Sequence, residues 1–208
     1  MRRDALPANS LAEAHLYLMV TPCDACGDGP LVGGDAVSLD ATCVAPTNDP
    51  NTVSAVRITT SCKACGASGS LTCTMPHGRG TDPAGGPATI NPTDHPSRII
   101  DVAQWLTLFR TIVEAAHRET DKVRARELGI EAARCLDEAL KFYDDPDSEL
   151  PPDDALFHEP SRRAYRTSPQ HFARKRLLDL RSKLPSIAAM NAKRHTPTPK
   201  RPWWRFRR

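Results

Sequence analysis

Two short elements with the same cysteine pattern constrain this chain most. They read Cys23-Asp-Ala-Cys26-Gly27 and Cys62-Lys-Ala-Cys65-Gly66. Two thiolates separated by two residues can bind one metal ion from a tight turn, and a following glycine permits the backbone conformation that directs amide groups at sulfur. Two such turns supply four thiolates, which is the closed tetrahedral donor set of structural zinc. The sequence therefore predicts one structural Zn²⁺ ion held by these four cysteines.

The surroundings of both cysteine pairs are rich in β-formers. An apolar run at 15–21 leads into the first pair, and a β-branched run at 53–60 leads into the second. With the two cysteine elements, these segments resemble the zinc-ribbon superfamily over about residues 13–76. The 35 residues between the pairs exceed the compact spacing, as an insertion would. The resemblance implies a small β-rich module with a structural metal, and zinc ribbons serve many functions, so it names none.

Other uses of the cysteines fit the sequence less well than zinc. The cysteine count of seven is odd and nothing indicates secretion, which disfavours disulfides. A thioredoxin-type redox pair lacks its βαβ frame. A zinc deaminase needs a His-x-Glu before the cysteines, and the one here, His117 to Glu119, comes after them. Cys43, Cys73 and Cys135 are interpreted as small core residues, with Cys43 or Cys73 left open as a replacement ligand.

Hydrophobic periodicity predicts strands first and helices afterwards. Strands are expected at 15–21, 36–43, 53–60 and 70–74. Residues 76–96 contain five Pro and four Gly, which is typical of a linker. Helices are expected at 97–119, at 121–143 and, beginning at Ser168-Pro169, at about 168–184, with an acidic, proline-rich break at 144–159. The predicted fold class is α+β, with an N-terminal zinc ribbon of short antiparallel strands followed by a three-helix region.

Five parts are predicted along the chain. They are a flexible N-terminus at 1–12, the zinc ribbon at 13–76, a Pro/Gly linker at 77–96, a helical domain at 97–184 and a disordered basic, aromatic tail at 185–208. The N-terminus lacks the apolar run of a signal peptide, and no window approaches the apolar length of a membrane span. We therefore expect a cytoplasmic protein.

Charge is distributed unevenly along the chain. Residues 162–208 contain fifteen Lys or Arg and one acid, whereas residues 1–161 contain thirteen basic and twenty-four acidic residues. Cations interleaved with aromatic rings suit nucleic acid, an anionic membrane surface or a protein groove. The candidate contact residues are Arg174, Lys175, Arg176, Lys200, Arg201, Trp203, Trp204, Arg205, Phe206, Arg207 and Arg208.

No catalytic arrangement is evident in the sequence. Glu114 and His117 form one Glu-x-x-His, but a di-iron bundle needs a second copy, so an exposed helix face is the preferred interpretation. A metal site closed by four cysteine ligands leaves no coordination position for substrate. We expect a non-enzymatic adaptor that contacts a protein partner. The main alternative is a nucleic-acid-binding protein that uses the residues from Arg162 onward, and an enzyme with an undetected site ranks third.

Overall fold

The computed structural model describes residues 5–39, 53–76, 90–143, 145 and 147–185. Cys43, most of the predicted linker and the basic tail beyond residue 185 lie outside these residues. Within them the chain forms one four-stranded sheet and five α-helices, so the predicted α+β class is confirmed. The elements in order are β1 (Leu6–Pro7), α1 (Leu11–Val20), β2 (Leu31–Ser38), β3 (Val53–Cys62), β4 (Ser68–Pro76), α2 (Val102–Arg118), α3 (Lys122–Leu140), α4 (Glu159–Thr167) and α5 (Arg174–Ser182).

The sheet has the strand order β1-β4-β3-β2. Strands β2, β3 and β4 are antiparallel, and the short β1 pairs parallel to β4. The predictions of strands at 53–60 and 70–74 are confirmed, and these two strands, β3 and β4, pair antiparallel. The strand predicted at 36–43 begins earlier, at Leu31, directly after the first cysteine pair. Because Leu31 pairs with Cys62, both cysteine pairs lie at the same end of the sheet.

The prediction of a strand at 15–21 is wrong, because this segment belongs to helix α1 and its C-cap. The side chain of Ser10 accepts a hydrogen bond from the backbone N–H of Glu13, which caps the helix. Ser-x-x-Glu is a helix-start pattern, and a short apolar run alone fits a strand or a helix equally well. The helix packs on β2, where a Cβ atom on Gly33 would collide with the ring of His15.

The helices predicted at 97–119 and 121–143 are present as α2 and α3, which pack together as a hairpin with three residues between them. The third predicted helix is different in the structure. Ser168-Pro169 begins only a 3-10 helix, Pro169–Phe172, and α5 starts at Arg174. Helix α4 was not predicted: it begins at Glu159, the last residue of the stretch predicted to be irregular, and Pro160 in its first turn is compatible with a helix start. The described part of the helical region therefore contains four α-helices where three were predicted.

One hydrophobic cluster takes side chains from the sheet and from the helices. Val56, Ile58 and Met75 of the sheet belong to the same cluster as Trp105 and Leu136 of the helical hairpin. No helix among the described residues is long and apolar enough to cross a membrane. The division into a zinc ribbon and a helical domain at 77–96 stays a prediction.

A buried polar joint connects the first residues of the chain to the helical hairpin. The hydroxyl of Ser10 donates to the carbonyl of Ile90, and Nζ of Lys141 donates to the carbonyls of Asn91 and Thr93 at 3.2 and 2.7 Å. Ile90 and Asn91 are buried. Residues 90–93, in the last part of the predicted linker, therefore contact both the start of α1 and the end of α3.

Candidate metal centre

The four cysteines predicted to bind metal converge at one end of the sheet. Their Sγ atoms all lie within 4.8 Å of one another. Sγ of Cys23 is 3.8 Å from Sγ of Cys65, and Sγ of Cys26 is 3.8 Å from Sγ of Cys62. Four sulfurs about 2.3 Å from a central ion in tetrahedral geometry lie about 3.8 Å apart. The donor set and its spacing therefore fit one tetrahedrally coordinated metal ion.

The two cysteine turns, here called the knuckles (22–28 and 61–67), have the same backbone structure. The N–H of Gly27 donates to the carbonyl of Cys23 at 2.8 Å, and the N–H of Gly66 donates to the carbonyl of Cys62 at 2.9 Å. Both glycines have left-handed backbone conformations, with φ of 76° and 75°. Residues other than glycine adopt this backbone conformation at a cost in free energy, which explains the glycine after each second cysteine.

Burial differs within each pair of cysteines. The first cysteine of each pair is buried, with Cys23 5% and Cys62 3% exposed, whereas Cys26 and Cys65 are exposed. A hydrogen bond from the N–H of Lys63 to the carbonyl of Pro30, at 3.0 Å, joins the second knuckle to the segment after the first. Two sulfurs thus face the protein and two face solvent.

Backbone amides stabilise a thiolate within the cluster. The N–H groups of Cys65 and Ala64 hydrogen-bond to the sulfur of Cys62 and lower the pKa of this thiol to about 7. At Cys26 the N–H of Asp28 acts in the same direction, but desolvation and the neighbouring thiols outweigh it and raise the pKa to about 12. Thiols bind a metal ion only when deprotonated, so a bound ion would replace the protons of these four groups.

The remaining described cysteines lie away from the cluster. Cys73 on β4 and Cys135 on α3 are fully or almost fully buried in the hydrophobic cluster, as predicted for small core residues. Burial raises the pKa of Cys73 to about 11 and that of Cys135 to about 12, so neither is an activated thiol. Cys43, the other suggested replacement ligand, lies outside the described residues.

The basic residues predicted to contact nucleic acid or membrane are only partly described. Lys175 and Arg176 are exposed on α5. Arg174 at the start of α5 is half-buried, and its backbone N–H donates to the carbonyl of Glu149 at 2.9 Å. Residues 200–208, with both tail tryptophans, lie outside the described residues. Glu114 and His117 are exposed on α2, in agreement with the preferred interpretation of that motif.

Sequence reasoning missed a buried carboxylate that joins two helix starts. Asp101 is fully buried and accepts from Nδ1 of His158 at 3.1 Å and from the hydroxyl of Ser161 at 2.9 Å. Burial raises the pKa of Asp101, but the hydrogen bonds from His158, the Gln104 N–H and Ser161 outweigh it and hold the pKa below its ordinary value.

This cluster does not have the order of a catalytic triad. In a triad, histidine lies between the carboxylate and the nucleophile. Here the carboxylate lies between histidine and serine, and Ser161 is buried. The contacts span 57 and 60 residues, so no local pattern could have indicated them. The cluster therefore caps α2 and connects it to the first residues of α4.

A second buried polar group lies in the joint between α1 and α3. Burial raises the pKa of Glu13 on α1 and of Glu138 on α3. Nζ of Lys141 lies 2.8 Å from Oε1 of Glu138. The joint is enclosed, so these carboxylates are structural groups rather than a site open to substrate.

Comparisons of the chain with protein-family models, with curated proteins and with solved structures found no match.

Proposed function

We propose that this chain is a non-enzymatic, cytoplasmic adaptor in which one structural zinc ion fixes the end of the sheet that contacts a protein partner. The observation that supports it most is the closed set of four protein thiolates at metal-binding distance. Such a site leaves no position for substrate or water, so the metal would organise the fold and not take part in chemistry.

Zinc is the proposed ion because of its chemistry. Tetrahedral sites with four sulfur donors suit zinc or iron, and zinc has no redox chemistry that a structural role would have to suppress. Metal analysis of the purified chain should find one zinc per chain, and the Cys23→Ser/Cys62→Ser variant should have almost none. Iron in place of zinc, or full zinc content in that variant, would contradict the assignment.

The sheet edge beside the metal site is the proposed contact surface. Strand β2 forms one edge of the described sheet, and Val32, Val37 and the adjoining Leu39 are 37%, 58% and 37% exposed. An edge strand presents unpaired backbone N–H and C=O groups that a strand of another protein can bind. Because β2 begins directly after the first knuckle, the metal would hold this edge in position.

A capture experiment tests the adaptor role. The tagged full chain is used to recover proteins from a nuclease-treated lysate, and each candidate is re-tested as purified protein. Val37→Lys should reduce binding of the true partner at least about tenfold. Val123→Lys is the matched control, because Val123 is 68% exposed on α3, away from the sheet. A lysate that yields no protein binding directly to the chain would overturn the adaptor role.

Nucleic-acid binding is the second candidate, and the cations of α5 favour it. Lys175 and Arg176 are exposed, whereas Arg181 is paired with Asp137 at 2.6 Å. Binding to single-stranded RNA through the region from Arg162 onward should weaken steeply with salt, because each neutralised phosphate releases counterions. Absence of binding at low salt would eliminate this candidate.

A further inference from the structure

A basic groove lies where α2 meets α4 and the 3-10 helix after it. Its volume is about 410 Å³. None of the described residues that line it carries a carboxylate, and its main members are Arg110, Arg163, His171, Pro160, Ala164 and Phe172. The groove therefore combines cations with an apolar wall.

The two arginines of the groove are available to an external anion. Arg110 and Arg163 are exposed, and neither forms an ion pair with another described residue. Glu114, one turn after Arg110, is engaged by another arginine of α2, and Glu159, one turn before Arg163, binds Arg166 at 2.8 Å. From 159 to 185 the chain has eight Lys or Arg against two acids, so the local field attracts anions.

The apolar wall favours a peptide over a nucleic acid. Phe172 is only 4% exposed, and its ring packs edge-on against Tyr165 with 5.3 Å between ring centroids. Bases bind single-strand sites by stacking on exposed aromatic faces, and none of the described lining residues is an exposed Phe, Tyr or Trp. A guanidinium group matches the planar geometry of a carboxylate, and exposed Pro160 and Ala164 suit a small aliphatic side chain.

We propose, as a refinement that rests on the adaptor function above, that this groove binds an acidic peptide segment of the partner protein. Carboxylates of the segment pair with Arg110 and Arg163, and an aliphatic side chain between them packs on Pro160 and Ala164.

The probe is a labelled, end-blocked peptide that alternates Glu and Leu, titrated into the full metal-loaded chain by fluorescence anisotropy. A peptide that alternates Gln and Leu is the reference. The acidic peptide should bind at least about tenfold more tightly than the reference, and less tightly as salt rises toward about 0.15 M. Equal binding of the two peptides would overturn the proposal.

Variants locate the binding. Arg110→Glu/Arg163→Glu should weaken binding of the acidic peptide at least about tenfold. Lys122→Glu/Arg126→Glu makes the same charge change at exposed positions outside the groove lining and should change affinity less than about twofold. Ala164→Trp fills the apolar wall without changing charge and should weaken binding too. Unchanged thermal unfolding of each variant checks that the fold is retained.

Two results would overturn the groove assignment. One is equal loss of affinity in the two charge-reversed variants, which would indicate a general charge effect. The other is loss of single-stranded RNA binding, and not of peptide binding, in Arg110→Glu/Arg163→Glu, which would make nucleic acid the occupant. If the captured partner still binds this variant at full affinity, the groove proposal fails while the adaptor function stands.

Discussion

Within the two knuckles only Cys23 and Cys62 are buried. In the helical hairpin, by contrast, Trp105 and Leu136 are completely buried. Strand β2 beside the knuckles is mostly exposed. Apolar burial contributes about 25 cal/mol per Å², so the helical core is stabilised by its own packing. The knuckle end lacks that area and depends on its ligand bonds. The knuckles and the helical core are thus stabilised by two different means, metal–ligand bonds in the first and apolar packing in the second.

Metal removal should have the largest effect and should separate the two ends. Structural zinc contributes about 10–16 kcal/mol of apparent binding free energy near neutral pH. After chelation, amides of residues 22–33 and 57–70 should lose hydrogen-exchange protection in mass spectrometry, while α2 and α3 keep theirs. Zinc added back should restore the protection. Simultaneous loss across α2 and α3 would show that both ends unfold as one unit.

Trp105→Ala should destabilise the helical core and leave the knuckles intact. We expect it to lower the free energy of unfolding by about 3–5 kcal/mol without loss of metal. The Nε1–H of Trp105 is buried and has no hydrogen-bond partner among the described residues. Trp105→Phe removes that donor and should therefore cost less than Trp105→Ala. Denaturant unfolding gives both costs, and metal analysis of the purified variants gives the occupancy. Metal loss in Trp105→Ala would show that the helical core supports the knuckles.

The metal end was the more predictable of the two regions. Cys-x-x-Cys-Gly places two thiolates and a left-handed glycine within five residues, so local chemistry specifies each knuckle. Helix α1 was predicted as a strand because its apolar run has no decisive period, although Ser10 and Glu13 form a helix-start pattern.

The contacts that organise the helical region could not be predicted from local pattern. Asp101 contacts His158 and Ser161 only because α2 packs against α4. The basic groove likewise joins Arg110 to Arg163 from different helices. Composition indicated an excess of cations after residue 162, but the sequence alone did not indicate which of them share a surface.

Asp101→Asn should weaken the junction of α2 and α4 by about 2–3 kcal/mol at pH 7, because buried charge-assisted hydrogen bonds are lost. The folded-state pKa of Asp101 is lowered, so its stabilisation is present above the ordinary aspartate pKa of about 3.9 and is lost as pH falls through the folded-state value. The difference between wild type and variant, measured by denaturant unfolding at each pH, should therefore shrink in acid.

Acid also releases metal from thiolates, so only the difference between the two chains at one pH reports on Asp101. Ser161→Ala is the control, because it removes one hydrogen bond and leaves the charge. Its cost should be about 1 kcal/mol. A difference between wild type and Asp101→Asn that stays constant down to low pH would contradict the role given to the carboxylate.

Gly66→Ala should have the smallest effect and should act only on the metal end. A Cβ atom at Gly66 would meet nothing within 4 Å, so its cost comes from the left-handed backbone alone. That cost is about 1–2 kcal/mol, which corresponds to about a tenfold loss of zinc affinity in a chelator competition. Gly27→Ala should match it, because φ is nearly the same in both knuckles.

Gly69→Ala is the control for Gly66→Ala. The φ of Gly69 is not left-handed, and a Cβ atom added there would lie 3.2 Å from the Thr60 hydroxyl. Equal loss of zinc affinity in Gly69→Ala would mean that crowding on β4, and not the knuckle backbone, governs metal binding.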